Sequence, residues 1–451
     1  MLFSSALFIF VFLPVSLIIY FLTPNKYKNL SLFLLSLCFY GFGEPIYILV
    51  MLGTILADFL FGIVISRSER HKKPILAVAV TANLLSLGIF KYLPPISESF
   101  GFFINIALPV GISFYTFQAL SYVVDVYRGR EAQKSFVDFG LYITMFPQLI
   151  AGPIVKYSDI EPYLRSRRVT VEDAYRGIIR FIAGLSKKLL FANSAGAMWE
   201  YFSSRTNGLS TLGAWVGISF YAFQIYFDFS GYSDMAIGLG MLFGFRFPEN
   251  FNYPYTAKSI KDFWSRWHIS LTDWFREYVY IPLGGNRRGV ARTYLNMLIV
   301  WALTGIWHGA GISFLLWGSY YFLLLSIEKL FLGKLIKRLP TAIARAYTII
   351  LVLVGWVFFA LTDISDISDY LKTMFTLKAP YKTEIYHIVR NLPFLIILTL
   401  GATSIPKLAY NTLTKKRSAE LLFFSASTLL FFLCVANLMG ASYNPFLYFR
   451  F

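Results

Sequence analysis

Long apolar runs dominate the pattern of hydrophobic and polar positions along this chain. Crossing about 30 Å of hydrocarbon takes roughly 20 helical residues. Runs that reach or approach this length occupy residues 2–22, 46–65, 75–93, 346–361, 392–405 and 421–438. Strands of a membrane barrel would instead show short segments of alternating polarity. The pattern predicts an all-α integral membrane protein with about eleven transmembrane helices, forming one polytopic domain over residues 1–451. The first run lacks the charged start and cleavage site of a secretory signal and is expected to remain as a span.

Two other apolar stretches do not fit simple crossings. Residues 136–154 end in a segment bounded by Pro147 and Pro153 and have basic residues on both sides. Because both flanks favour the cytoplasm, a re-entrant hairpin fits better than a span. Residues 174–201 mix basic and apolar side chains at helical spacing, which predicts an interfacial helix followed by a short span.

The charge distribution agrees with a membrane protein. Only 14% of residues are charged, against about 25% in soluble domains. The formal net charge of +17 comes from clusters between the apolar runs, which indicates cytoplasmic loops rather than nucleic-acid binding. These clusters include residues 26–28, 67–73, 156–168, 334–338 and 415–417. If all of them face the cytoplasm, both termini and an acidic loop with Asp363, Asp366 and Asp369 lie outside.

Residues 220–321 form the block in which we expect the chemistry. Its middle part, residues 250–289, is aromatic, charged and interrupted by prolines and glycines, with no run long enough to span. We expect short amphipathic helices at the cytoplasmic face there, with Trp264, Trp267 and Trp274 at the level of the lipid headgroups.

Two histidines in this block are candidate catalytic groups. His308 lies near the middle of the apolar run 295–327, flanked by Gly305, Gly309 and Gly311. Ionisable residues at such depth are usually functional, and desolvation would keep the imidazole neutral, as a general base requires. The alternative is a structural histidine bonded to a neighbouring helix. His268 is the second candidate, although a lone histidine on a surface helix is more often only solvated.

Other familiar site chemistries find no support in the sequence. Neither histidine has His, Asp or Glu neighbours at the spacing of metal ligands, so we predict no metal site. A G-x-S-x-G nucleophile elbow is absent. Cys38 and Cys434 both lie in apolar runs and are expected to be core residues.

Several strings resemble the membrane-bound O-acyltransferase (MBOAT) superfamily. They are FWSRWHISLTDWFREYVYIPLGG at 263–285, TGIWHGAGISFLLWG at 304–318, GISFYTFQALSYVVDVYRG at 111–129, MFPQLIAGPIV at 145–155 and NPFLYFRF at 444–451. These sequence strings are most similar to the bacterial branch of alginate and peptidoglycan O-acetylation proteins. The resemblance implies an MBOAT-like ring of helices around a cytoplasmic funnel. It identifies His308 with the family's near-invariant catalytic histidine and His268 with the upstream histidine.

The same resemblance implies an activity. The family transfers acyl groups from a thioester, usually coenzyme A, to a hydroxyl, so the expected donor is acetyl coenzyme A, with no permanently bound cofactor. In similar proteins the acetyl group is thought to cross the bacterial cytoplasmic membrane to an extracytoplasmic SGNH-type acetyltransferase, with a cell-envelope polysaccharide as final acceptor. Membrane lipid is the remaining expected partner, and nucleic acid is not expected.

Charged residues near the histidines complete the candidate site. A basic mouth suited to the phosphates of coenzyme A would comprise Lys258, Lys261, Arg266, Arg276, Arg287 and Arg288. The alternative for each of these residues is the positive charge common to cytoplasmic loops. Asp228 and Asp234 lie in an otherwise apolar segment and either orient a histidine or line the funnel, or else form interhelical hydrogen bonds.

The sequence is also compatible with other functions. The same family includes lipid acyltransferases and a D-alanyl transferase that takes its acyl group from a carrier protein. A transporter or structural membrane protein would carry out no chemistry. Transporters usually show repeated halves with matching broken helices, and no such repeat is visible in this sequence.

Overall fold

The computed structural model describes residues 1–104, 106–150, 152–205, 208–413 and 417–440. In these ranges the fold is helical, and the only β-type pairing is an isolated antiparallel bridge between Phe251 and Trp267. Two sequence features, Lys415 with Lys416 and the string at 444–451, lie outside the described residues. The chain divides into two compact units, the first formed by Met1–Leu185 with Tyr232–Glu249 and the second by Ser186–Gly231 with the chain from Asn250 onward.

The first unit is built from helices of very different length. They are Phe8–Leu22, Lys28–Gly43, Ile48–Arg67, Lys72–Lys91, Leu93–Ser99, Ile112–Tyr127, Phe136–Thr144, Phe146–Leu149, Tyr157–Arg165, Val171–Ser186 and the last part of Thr211–Leu242. Distant segments of the chain are joined by specific contacts. The ring of Phe3 stacks on Tyr232 at 4.8 Å, and the Tyr20 hydroxyl donates to the carbonyl of Phe243 at 2.9 Å. These contacts connect the first helix to the end of Thr211–Leu242.

The second unit contains most of the remaining helices of the described chain. They are Lys187–Ala192, Asn193–Ser203, the first part of Thr211–Leu242, Ile260–Trp264, Ile269–Phe275, Arg276–Tyr280, Val290–His308, Ile312–Ile327, Glu328–Leu332, Gly333–Ile336, Thr341–Ala360, Ile364–Phe375, Lys382–Gly401, Ile405–Leu413 and Arg417–Gly440. Residues 220–231 and 250–321 of the predicted chemical block belong to this unit, whereas residues 232–249 belong to the first.

Membrane-spanning helices are present, although fewer qualify than the sequence suggests. Among the described residues, five are long and apolar enough to cross: Ile48–Arg67, Lys72–Lys91, Ile312–Ile336, Thr341–Ala360 and Leu422–Gly440. The pair Lys382–Gly401 and Ile405–Leu413, bent by 67°, makes a sixth if it forms one broken span. The protein is therefore a multi-pass membrane protein, but the expected eleven spans are not confirmed.

Fewer helices qualify as spans than expected because some helices are surrounded by protein. In Ile112–Tyr127 nearly every side chain is buried, including polar ones such as Gln118 and Asp125. The 32-residue helix Thr211–Leu242 likewise contains buried polar side chains, among them Gln224 and Asp228. Such polar positions reduce the mean hydropathy of a helix that has protein rather than lipid around it.

The stretches that did not fit simple spans have short or composite helices. Residues 136–154 contain Phe136–Thr144 and Phe146–Leu149, of nine and four residues, which are too short to cross a bilayer alone. Their side chains are largely buried in protein, as irregular backbone at membrane depth requires. Residues 174–201 fall in the helical stretch formed by Val171–Ser186, Lys187–Ala192 and Asn193–Ser203.

Three local expectations are wrong. Cys38 was expected in the core but is exposed, whereas Cys434 is buried. Trp264, Trp267 and Trp274 were expected among the lipid headgroups but are buried in the protein, with 8%, 4% and 5% of their surface exposed. Trp267 packs on Trp356 at 4.8 Å between ring centroids, a partner far away in the sequence.

The predicted acidic loop is the helix Ile364–Phe375. Its apolar positions recur at helical spacing and bury one face, so the aspartates lie on the other side.

The threading of basic loops gives a prediction about this acidic helix. A cysteine placed at the exposed position Asp366 should react with a membrane-impermeant maleimide added outside intact cells, because basic loops stay in the cytoplasm. A cysteine at Arg70 serves as the cytoplasmic control and should react only after the cells are opened. Labelling of Asp366→Cys only in opened cells would show that the threading is inverted.

Candidate functional site

His308 lies at the turn of a helical hairpin. The apolar run 295–327 is not one continuous span, as the sequence suggested, but two helices, Val290–His308 and Ile312–Ile327, joined by residues 309–311. We call these two helices and their turn the histidine hairpin. A Cβ on Gly305 would overlap the carbonyl of Phe314, and one on Gly318 would overlap the carbonyl of Trp301. The glycines therefore let the two backbones approach closely, and His308 is the last residue of the first helix rather than the middle of a span.

Aromatic rings surround the His308 imidazole. Ring centroids of Trp307, Trp317 and Phe359 lie 4.9, 5.1 and 5.0 Å from it, and that of Phe314 lies at 6.4 Å. Only 6% of the residue is exposed. Such a wall limits the access of water to the imidazole and fixes the ring by packing on several sides.

His268 is buried and oriented by Asn250. It is 2% exposed, not a solvated surface side chain, and its backbone has a positive φ of 45° just before the helix Ile269–Phe275. The ring atom Nδ1 lies 3.1 Å from Oδ1 of Asn250, and the Ser270 hydroxyl donates to the same oxygen at 2.9 Å. Because this oxygen only accepts, Nδ1 carries the proton and Nε2 the lone pair. Burial lowers the pKa of His268 to about 3, so the ring is neutral at pH 7.

Asn250 is a site residue that sequence reasoning missed. Its backbone carbonyl accepts a hydrogen bond from the backbone N–H of Ile269 at 3.0 Å. Asn250 therefore holds both the ring of His268 and the backbone next to it. Asn250 precedes His268 by 18 positions, in a segment with no regular periodicity. No sequence signal could have paired the two.

One cavity connects the two histidines. It has a volume of about 1100 Å³ and is lined by both His268 and His308, together with Trp264, Trp301 and Thr304. Ligand pockets commonly measure about 300–1,000 Å³, so this cavity can accept a large molecule. The sequence predicted both histidines as site residues, and the structure brings them to the same space.

Exposed basic residues line the same cavity. We call them the basic rim: Lys258, Lys261, Arg276, Lys329, Lys334 and Lys337. Three belong to the set predicted from sequence, and the three lysines at 329–337 were missed. Lys334 and Lys337 were part of a basic cluster that was interpreted only as cytoplasmic charge, and Lys329 was not singled out.

The other predicted basic residues are elsewhere. Arg266 forms an ion pair with Asp262 at 2.7 Å, and neither it nor the exposed Arg287 and Arg288 lines the cavity. Arg287 and Arg288 lie in the loop that precedes the helix Val290–His308.

Asp228 and Asp234 are engaged in ion pairs away from the cavity lining. Lys188 Nζ lies 2.7 Å from Oδ1 of Asp228, and both side chains are almost fully buried. Within the first unit, Arg180 Nη2 lies 2.8 Å from Oδ1 of Asp234. Each aspartate thus has a basic partner, and neither is among the residues that line the cavity.

The described residues contain no group of three or more His, Cys, Asp or Glu side chains able to hold a metal ion. The groups that line the cavity include a buried imidazole in an aromatic wall, a second neutral imidazole and a set of cationic side chains. A neutral imidazole can accept a proton, and cations can bind phosphate or another anion.

Comparisons with known proteins identify the family of this chain. The model of the MBOAT, membrane-bound O-acyltransferase family, matches residues 127–365. The chain belongs to the membrane-bound O-acyltransferase family. The probable alginate O-acetylase AlgI of Pseudomonas putida is 36% identical, with all of both chains covered. The peptidoglycan O-acetyltransferase of Helicobacter pylori is 33% identical over 83% of this chain and 80% of that protein.

A more distant relative has a different acyl group in its name. The teichoic acid D-alanyltransferase of Bacillus subtilis is 27% identical over 62% of this chain and 75% of that protein. The MBOAT match includes both histidines and the whole histidine hairpin. The protein is an O-acyltransferase of the membrane-bound family, and its cavity is the candidate active site.

Proposed function

We propose that this chain transfers an acetyl group from a cytoplasmic thioester, acetyl coenzyme A, to a hydroxyl, for O-acetylation of a cell-envelope polysaccharide. The observation that carries the proposal is a cavity of about 1100 Å³ that is lined by both the basic rim and two buried histidines. Its volume suits a large donor, and its cations suit the donor's phosphates. Lys334 and Lys337 belong to a basic cluster that the positive-inside rule assigns to the cytoplasm, where the donor is made.

The chemistry proposed for His308 is general base catalysis. The imidazole takes the proton of the acceptor hydroxyl while the hydroxyl oxygen attacks the thioester carbonyl carbon. The new C–O bond forms, the C–S bond breaks, and the leaving thiolate receives the proton from the imidazolium. The aromatic wall around His308 excludes water that would otherwise hydrolyse the thioester. His268, held by Asn250, shapes the cavity beside it.

The finer features of the family are part of the same proposal. We place the protein in the bacterial cytoplasmic membrane, with a ring of about eleven membrane segments around a cytoplasmic funnel whose floor carries His308. The acetyl group would then pass to an extracytoplasmic SGNH-type acetyltransferase. The acetylation proteins of P. putida and H. pylori are more similar and more completely covered than the D-alanyl transferase, which favours acetyl over D-alanyl transfer.

The direct test is mass spectrometry of envelope polysaccharides from cells with and without the gene. We expect acetyl esters to disappear on deletion and to return with the wild-type gene. Loss of D-alanyl esters instead would establish the second activity. Unchanged esters of both kinds would contradict the proposal.

The basic rim gives a prediction about donor binding. Lys261→Glu with Lys334→Glu should raise the KM for acetyl coenzyme A about tenfold or more, because each reversal replaces an attraction of about 1 kcal/mol with a repulsion. The matched control is Arg287→Glu with Arg288→Glu, which changes the charge equally at exposed positions outside the cavity lining. An unchanged KM in the Lys261 and Lys334 variant would remove the rim from the donor site. A raised KM in the Arg287 and Arg288 variant would support the sequence prediction for those two residues.

A further inference from the structure

An acidic side chain stands among the cations of the cavity. Glu328 lines the cavity together with the basic rim, and it is 7% exposed. A carboxylate there would repel the phosphates of a bound donor unless its charge were already engaged. Its contacts show where that charge is directed.

Both carboxylate oxygens of Glu328 accept hydrogen bonds from backbone. Oε1 accepts from the N–H of Ile260 at 2.8 Å, and Oε2 accepts from the N–H of Lys261 at 3.0 Å. The Tyr347 hydroxyl adds a third contact to Oε1 at 3.3 Å. Ile260 and Lys261 are the first two residues of the helix Ile260–Trp264, so their N–H groups have no partner within that helix.

This contact joins the two parts of the candidate active site. The segment that follows the capped helix start carries Lys261, Trp264 and His268. Glu328 directly follows the helix Ile312–Ile327, the second helix of the histidine hairpin, whose first helix ends at His308. The remaining N–H of the first helical turn is bound locally, since Asp262 N donates to Ser259 Oγ at 3.0 Å. Glu328 therefore provides a long-range polar contact to this helix start.

We propose that Glu328 is a positioning residue for the transfer reaction, which fixes the wall carrying Lys261 and His268 relative to His308. The inference rests on the proposed function, because it assumes that the cavity binds the thioester donor. Glu328 does not exchange protons with the substrate. Its carboxylate is bound to backbone N–H groups, whose dipoles stabilise an anion at a helix start. The negative charge is therefore directed to the helix and not to the donor.

The test uses Glu328→Gln in purified protein, with acetyl coenzyme A as the donor. The amide keeps one accepting oxygen but puts an NH₂ group against a backbone N–H. The segment that carries Lys261 and His268 is then held less firmly in place. We expect the KM for the donor to rise about tenfold, the size of a lost hydrogen bond to a charged group. The value of kcat at saturating donor should change less than threefold, because His308 is untouched.

Glu384→Gln is the matched control. Glu384 is also buried in the second unit, at 3% exposure, and it accepts from the backbone N–H groups of Ser210 at 2.9 Å and Tyr381 at 3.1 Å. It does not line the cavity. A purely structural role predicts the same outcome for both variants, namely less folded protein with an unchanged KM, and that result would overturn the proposal.

A second variant covers the case in which Glu328→Gln does not accumulate. Tyr347→Phe removes only the third contact and should raise the KM about twofold to fivefold, whereas an unchanged KM would contradict the positioning role. Wild-type protein in the same assay separates the two hypotheses. If it transfers no acetyl group, the proposed function fails, and if it does while the Glu328 and Glu384 variants behave alike, only this inference fails.

Discussion

His308→Ala is expected to lower the rate of acetyl transfer by about 10²–10⁴-fold, the usual contribution of a positioned proton acceptor. The imidazole lies among aromatic rings and lines the cavity. Removing it takes away the group that we propose accepts the proton of the acceptor hydroxyl. The measurement is polysaccharide acetylation in cells that make equal amounts of wild-type and variant protein.

His308→Gln separates chemistry from structure. An amide can donate and accept hydrogen bonds but cannot take a proton at pH 7, so this variant should be nearly as inactive as the alanine variant. A histidine kept only for hydrogen bonding would be largely replaced by glutamine. Both variants should insert and fold, because neither adds a charge in the membrane.

His71→Gln is the matched control for this experiment, since His71 is exposed in a basic loop and should tolerate the change fully. His268→Ala should reduce activity less than His308→Ala if His268 only shapes the cavity. Near-normal acetylation by either His308 variant would contradict the mechanism.

Hydropathy predicted the lipid-facing part of the fold well. The runs 46–65, 75–93 and 346–361 correspond to the helices Ile48–Arg67, Lys72–Lys91 and Thr341–Ala360. Less than half of each helix is buried inside the protein, so few polar contacts interrupt the apolar run and hydropathy is sufficient to identify it. Helices surrounded by protein, such as Thr211–Leu242, follow a different rule, because their polar groups pair with other parts of the chain.

The candidate site was predicted as a set of residues but not as an arrangement. Both histidines were singled out from sequence, yet His308 was expected within a span and His268 on a solvated surface. A reversal of the chain within an apolar run hardly changes its hydropathy, so the histidine hairpin was not predicted. The glycines beside His308 were noted, but the turn was not predicted from them. Asn250 and Glu328 act through contacts 18 and 67–68 positions away, which a single sequence does not specify.

The ion pair of Lys188 and Asp228 gives the largest expected effect on stability. Both side chains are almost fully buried, at 1% and 3% exposure, with 2.7 Å between Nζ and Oδ1. Asp228→Asn or Lys188→Met should each destabilise the protein by about 3–5 kcal/mol, because the remaining charge is left buried without its main counter-charge. The measurement is the fraction of protein that stays monodisperse in detergent after heating, compared with wild type.

The double variant Lys188→Met with Asp228→Leu provides the control. Replacing a buried ion pair by apolar residues of similar volume is often neutral or stabilising, so stability should return close to the wild-type value. Activity should return with it, because neither residue lines the cavity. The adjacent residue, Phe229, packs on His268 with 4.7 Å between the ring centroids, so we expect Asp228 to affect the site through the position of its helix. A stable but inactive double variant would instead support the sequence prediction that Asp228 orients a histidine, and would give this aspartate a direct part in the reaction.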